Sequence, residues 1–175
     1  MAGHNKWAQI KRQKGANDAA RSALFGKLAR RITVEAKKAG GDTNSASLRA
    51  AIEKARAANM PKENIDRAIS KATSGAAEME SVTYECYGPG GAAVIIEALT
   101  DNKNRTLQEL KAIFAKHAIA LAAPGSALWA FTKTDEGYTP NASIPLSPED
   151  DAALMKVMEL IDALDDVEEV YTNAE

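Results

Sequence analysis

A change of hydrophobic period at Gly75 divides this chain. Before it, apolar residues recur every three or four positions; after it they gather into short runs rich in β-branched residues. A 3.6-residue period buries one helix face and an extended run suits a sheet, so two kinds of module are expected. The 175 residues suffice for one sizeable core or two small ones.

Asn17 or Asp18 can cap a helix that runs through AARSALFGKLARRITVEAKKA to a Gly40-Gly41 stop. At 100° per residue, Leu24, Phe25, Leu28, Ile32 and Ala36 share an arc of roughly 120°, with Lys27, Arg30, Arg31, Lys37 and Lys38 on the other side. Arg21 and Glu35 fall at apolar angles and blur the pattern. A second helix runs from Asn44 or Ser45 to about Asn59 and buries Leu48, Ala51, Ile52 and Ala55. Pro61 suits the first turn of a third, over KENIDRAISKATS, buried through Ile65, Ala68, Ile69 and Ala72.

After Gly75, SVTYECY and AAVIIEALT read as strands joined by a turn at Gly88-Pro89-Gly90-Gly91. NRTLQELKAIFAKHA reads as a helix facing a sheet through Leu107, Leu110 and Ile113 or Phe114, and SALWAFTK as a third strand. A polar connector over 134–146 leads to a helix with Ser147 as N-cap, Pro148 at its first position and Leu154, Val157, Met158, Ile161 and Leu164 inside. VEEVYTN finishes as an edge strand. The expected fold is α+β: a basic three-helix domain over 1–75, then over 76–175 an acidic two-layer α+β domain with an antiparallel sheet and both helices on one face.

Charge follows the same division. Residues 1–75 carry 16 Lys and Arg against 6 Asp and Glu, a net of +10; residues 76–175 carry 6 against 18, a net of −12. Clustered cations on one module point to a polyanion as partner, DNA or RNA, through counterion release. The acidic domain would be repelled by phosphate and should face away or meet a protein. Other classes are poorly served. The single Cys86 excludes an internal disulfide and a Cys-based zinc site, and 35 alanines with few aromatics do not furnish a large aromatic-lined cavity. No apolar run reaches the roughly 18 residues of a membrane span, and the N-terminus has no signal-peptide stretch. A cytoplasmic protein without membrane contact is expected.

The arm from Gly3 to Lys14 sets Trp7 and His4 among Lys6, Lys11, Arg12 and Lys14. Cations meet phosphates and an indole can stack on a base or anchor the arm on the helical unit; His4 has no partners for metal binding or base catalysis. The YGPGG stretch reads as a turn, since it lacks the phosphate-loop pattern. Asn102, Asn104 and Arg105 stand between a strand and a helix N-terminus, where they are a candidate secondary contact for a ligand or where an Asn caps the helix. Asp162, Asp165, Asp166, Glu168 and Glu169 lack EF-hand spacing and read as a solvated acidic face. His117 lies late in its helix, near terminal carbonyls. No nucleophile, base and orienting residue assemble, and nothing calls for a cofactor or a metal.

MAGHNKWAQIKRQK, GGD at 40–42, LRAAIEKARAANMPKENIDRAI at 48–69, YECYGPGGAAVIIEALTDNKNRT at 84–106 and GS at 125–126 resemble the YebC/PmpR family over most of residues 1–132. The resemblance implies an N-terminal three-helix domain followed by α+β domains, and bacterial transcriptional regulation by DNA binding; mitochondrial relatives are translational activators, and ribosome-associated roles are attributed to bacterial members. Two departures stand out. Members carry an inserted domain where this chain has only 134–146, so this is a short form, and the arm has Asn5 where Ser is usual and Gln13 where the family is often basic. The arm starts at Met1, which leaves no room for a presequence and favours a bacterial member. The expected function is non-enzymatic regulation of gene expression by DNA binding. The nucleic-acid contacts are His4, Lys6, Trp7, Lys11, Arg12, Lys14, Lys27, Arg30, Arg31, Lys37 and Lys38. An RNA- or ribosome-associated translation factor and a protein-interaction adaptor are the alternatives.

Overall fold

A computed structural model of the chain describes Trp7, Ile10, Lys11 and residues 18–75, 78–135 and 137–175. The residues group into two compact units, one of residues 16–80 and the other of residues 81–175 together with those before 16. The described arm residues Trp7, Ile10 and Lys11 pack with the α+β unit.

The helical unit consists of α1 (Asp18–Lys38), α2 (Ala46–Ala57) and α3 (Lys62–Thr73). Leu28, Ile32 and Ala36 of α1 share one buried cluster with Leu48, Ile52 and Ala55 of α2 and Ile65, Ala68 and Ala72 of α3, as the periodicity requires. Thr33 Oγ1 ties α1 to α3 by donating to the Ala68 carbonyl at 3.0 Å. Leu24, expected inside, is exposed. At 1.5 Å per residue α1 is about 31 Å long and its partners about 18 Å, so its first turns extend past them. α1 stops where Gly40 turns to φ +60° and Gly41 N–H reaches back to Ala36 O at 2.9 Å. Asn59, at φ +60°, ends α2 in the same way, and Pro61 is the N-cap of α3, one position before the first-turn place expected for it.

In the second unit, β1 (Glu80–Tyr87), β2 (Ala93–Thr100) and β5 (Val167–Thr172) form one sheet with β2 in the centre. β2 and β5 run antiparallel, with Ile95 opposite Tyr171 and Ile96 opposite Val170. The turn between β1 and β2 is tight because Gly90 takes φ +69° and a Cβ there would fall 2.5 Å from Leu146. α4 (Lys103–Lys116) and α5 (Pro148–Asp162) cover one face: Leu110, Phe114, Leu154, Val157, Met158 and Ile161 close over Val94, Ile96 and Val170. Ser147 Oγ caps α5, accepting from Asp150 N–H at 3.1 Å.

The expected third strand takes a different place. Leu128–Ala130 form a 3-10 turn, and β3 (Phe131–Thr134) pairs with β4 (Gly137–Pro140) in a separate two-stranded sheet. Part of the segment expected to be only a connector is thus a strand. The reason lies in the aromatic side chains: Tyr138 meets Phe131 and Tyr171 edge-on, with ring centroids 6.4 and 5.4 Å away. These residues, with Ala127 and Ala130, bury Ala93 and Ile95 on the face of the sheet opposite the helices. The buried Glu85 holds the preceding loop, its carboxylate accepting from Gly125, Ala127 and Leu128 N–H at 2.6, 2.7 and 3.0 Å.

A second buried carboxylate joins three elements. Asp166, 3% exposed, accepts from Thr100 Oγ1 at 2.9 Å, Thr106 Oγ1 at 2.7 Å and Arg105 Nη2 at 2.8 Å, and its carbonyl accepts from Leu99 N–H at 2.8 Å. Burial pushes this carboxyl up, but the hydrogen bonds from Thr106, Arg105 and Thr100 outweigh it and hold the group below the usual carboxylate range. A depressed folded-state pKa contributes stability that is present above the unfolded value of about 4 and is lost as pH falls through the folded value. Asp166→Asn should cost about 2 kcal/mol at neutral pH in urea titrations, and the difference from the parent should shrink in acid. Ala118, at φ +54° after α4, carries a left-handed backbone that glycine adopts without strain; Ala118→Gly should raise stability by about 0.5 to 1 kcal/mol in the same assay.

Candidate nucleic-acid interface

α1 displays the cations that the sequence places there. Lys37 and Lys38 are exposed, and Lys27, Arg30 and Arg31 are half-exposed beside them. Glu35 tempers this flank: buried to 8% exposure, its carboxylate lies 3.6 Å from Arg31 Nη1 and 3.5 Å from Lys38 Nζ. One anion thus stands beside both Arg31 and Lys38. Arg49, Lys54 and Arg56 of α2 and Lys62, Arg67 and Lys71 of α3 are also exposed. Over residues 18–75 the balance is 12 Lys and Arg against 6 Asp and Glu, a net of +6. The rest of the +10 comes from the arm.

His4, Lys6, Arg12 and Lys14 lie outside the described residues. Trp7 is inside them and is 4% exposed, within the core that Leu110, Phe114, Met158 and Ile161 build in the α+β unit. Its indole is a core side chain with no face open to a base, and the unit it anchors on is the α+β one. Ile10 packs against the same cluster. Lys11 Nζ lies 2.9 Å from Asp162 Oδ1 and 3.8 Å from Glu169 Oε2. The acidic run is therefore no uniform solvated face: Asp166 is buried, and Asp162 and Glu169 hold an arm cation.

The candidate secondary contact resolves into structure. Asn102 caps α4, its side-chain oxygen accepting from Arg105 N–H at 3.1 Å. Arg105 is engaged by Asp166 and by Asp101, the latter at 2.7 Å, and these partners hold its guanidinium firmly protonated. Asn104 is exposed. The YGPGG stretch is a turn packed on Leu146 and Asp150. His117 is the C-cap residue of α4, its N–H donating to Phe114 O.

Chemistry of other kinds finds little support among the described residues. Burial pushes the Cys86 thiol up to about 12, so it is neutral and a poor nucleophile at neutral pH. No group of three or more His, Cys, Asp and Glu among them is placed to hold a metal ion, and no described helix is long and apolar enough to cross a membrane. One exposed feature was not legible in the sequence. Trp129, 63% exposed, donates from Nε1 to Tyr87 Oη at 2.9 Å, and Tyr87 Oη donates to the Ser126 carbonyl. Reading SALWAFTK as a strand hid this, because the chain forms a 3-10 turn at that point.

Residues 5–75 match the TACO1/YebC protein N-terminal domain, and residues 79–136 match the TACO1/YebC second and third domain. A "Probable transcriptional regulatory protein" of Thermoanaerobacter pseudethanolicus is 54% identical over 136 residues, 76% of this chain and 55% of that protein. One of the same description from Lactiplantibacillus plantarum is 43% identical over 179 residues, 99% of this chain and 73% of that one. The chain spans about half the length of the first of these relatives. The crystal structure of a conserved hypothetical protein from Aquifex aeolicus superposes with a TM-score of 0.80 at 29% identity, covering 90% of this chain and 91% of that one. Both domain matches and the near full-length relative agree with the resemblance read from the arm and the YGPGG motif: the chain belongs to the TACO1/YebC family.

Proposed function

We propose that this chain is a non-enzymatic, cytoplasmic regulator of gene expression that binds DNA through the three-helix unit. The observation that carries the reading is the cationic flank of α1, Lys27, Arg30, Arg31, Lys37 and Lys38, on a unit of net +6. Such a surface gains affinity for a phosphate backbone by displacing condensed counterions, without reading bases. Relatives described as probable transcriptional regulatory proteins support the regulatory role and make duplex DNA the first partner to test. The arm cations Lys6, Lys11, Arg12 and Lys14 extend the same chemistry.

A second reading, structured RNA and a role in translation, is favoured by one observation. The exposed side of α3 mixes Glu63 and Asp66 with Lys62, Arg67 and Lys71, which suits contact with a backbone of given shape better than insertion into a major groove. Ultraviolet cross-linking in the native cells, followed by sequencing of the recovered nucleic acid, separates the two. Discrete promoter DNA supports the first, ribosomal RNA the second, and recovery of neither moves the reading to a protein adaptor.

The surface itself is tested by Arg30→Ala, Lys37→Ala and Lys38→Ala combined. Binding to a duplex of about 20 base pairs, followed by fluorescence anisotropy at several salt concentrations, should weaken, and the slope of log K against log salt should flatten by about 2 to 3. An unchanged slope would falsify the assignment of α1 as the phosphate-binding face.

A further inference from the structure

The end of α5 is electrostatically incomplete by itself. Its last turn contains Glu159 and Asp162 and no basic residue, although the free carbonyls there already concentrate negative charge. Asp165, Asp166, Glu168 and Glu169 follow within seven residues. Asp166 is neutralised by Arg105. A cation from a distant stretch of chain meets two of the others: Lys11 stands between Asp162 and Glu169. It is held there by more than charge, since Trp7, one turn earlier, is buried in the core with α5 residues and the adjacent Ile10 packs against that core. The side chains of Lys11, Asp162 and Glu169 are only 30%, 18% and 35% exposed, so the pair is partly shielded from water and salt.

From this we infer that the acidic end of α5 and β5 is an intramolecular competitor of nucleic acid, a clasp that withholds Lys11 from phosphate until a polyanion displaces it. The inference rests on the reading above, that the basic residues bind nucleic acid. The two carboxylates occupy the ammonium as phosphate oxygens would. Binding by the arm therefore has to exchange one set of anions for another, and its strength is set by the difference.

Asp162→Asn with Glu169→Gln removes the competitor while preserving shape. With a 20-base-pair duplex at about 0.1 M salt, the double variant should bind about threefold more tightly than the parent, in line with the modest strength of half-exposed ion pairs. The gain should vanish when Lys11→Ala is also present, because the cycle isolates the pairing from the change in net charge. Glu109→Gln with Glu149→Gln removes the same charge from residues that pair with no cation among those described, and should leave affinity within about twofold. Glu169→Gln alone, the gentler change, should show a smaller gain of the same sign. A gain that persists without Lys11, or no gain in proteins that bind DNA, overturns the clasp and leaves the phosphate-binding role of α1 standing. Failure of parent and variants alike to bind DNA or structured RNA at low salt overturns both.

Discussion

The carboxylate of Asp166 is the interaction on which the α+β unit turns. It stands where β2 ends, α4 begins and β5 begins, and it receives hydrogen bonds from Thr100, Thr106 and Arg105. A buried anion is costly unless its lone pairs are filled; here they are filled by groups sixty or more residues away in sequence. The same bonds orient the entry to α4, where Asn102 caps the helix, and so set Leu110 and Phe114 over the sheet. This closure adds to the β2–β5 ladder and to the packing of Val170 under α5.

Glu85 performs a related task on the opposite face. Its three backbone donors fold the 125–128 loop over the sheet, which brings Ala127, Ala130 and Phe131 down on Ala93 and Ile95. β2 is consequently buried on both faces, and nearly every one of its residues is removed from water. That explains why AVIIEALT is a nearly continuous apolar run, broken at Glu97, where a half-exposed strand would alternate. The two acids act as fixed acceptors for backbone and side-chain donors.

Charge is distributed more subtly than the halves of the chain suggest. Four of the cations in the basic half belong to the arm, whose described residues pack with the acidic unit. The helical unit keeps a smaller but surface-wide excess centred on α1. Lys37 and Lys38 of α1 are exposed and Lys27, Arg30 and Arg31 half-exposed, while Lys11 of the arm pairs with Asp162 and Glu169. The proposed nucleic-acid role thus leans on helix α1 more than on the tryptophan and lysines that first attract notice.

Local signals determined much of this protein from sequence alone. The 3.6-residue period placed α1, α2, α3, α4 and α5 within a few residues, Gly40 and Ser147 marked helix ends, and the GPGG turn and edge position of the last strand were read correctly, because each depends on neighbours a few residues apart. The cations of α1 were legible for the same reason. Partners distant in sequence left no such trace. Nothing near Trp7 says that its indole lies under α5, nothing near Arg105 names Asp166, and nothing in SALWAFTK tells that β3 pairs with β4 and not with the main sheet. Those outcomes depend on which surfaces meet, on the burial of an aromatic ring or the filling of a carboxylate's lone pairs, and only the tertiary structure brings those groups together.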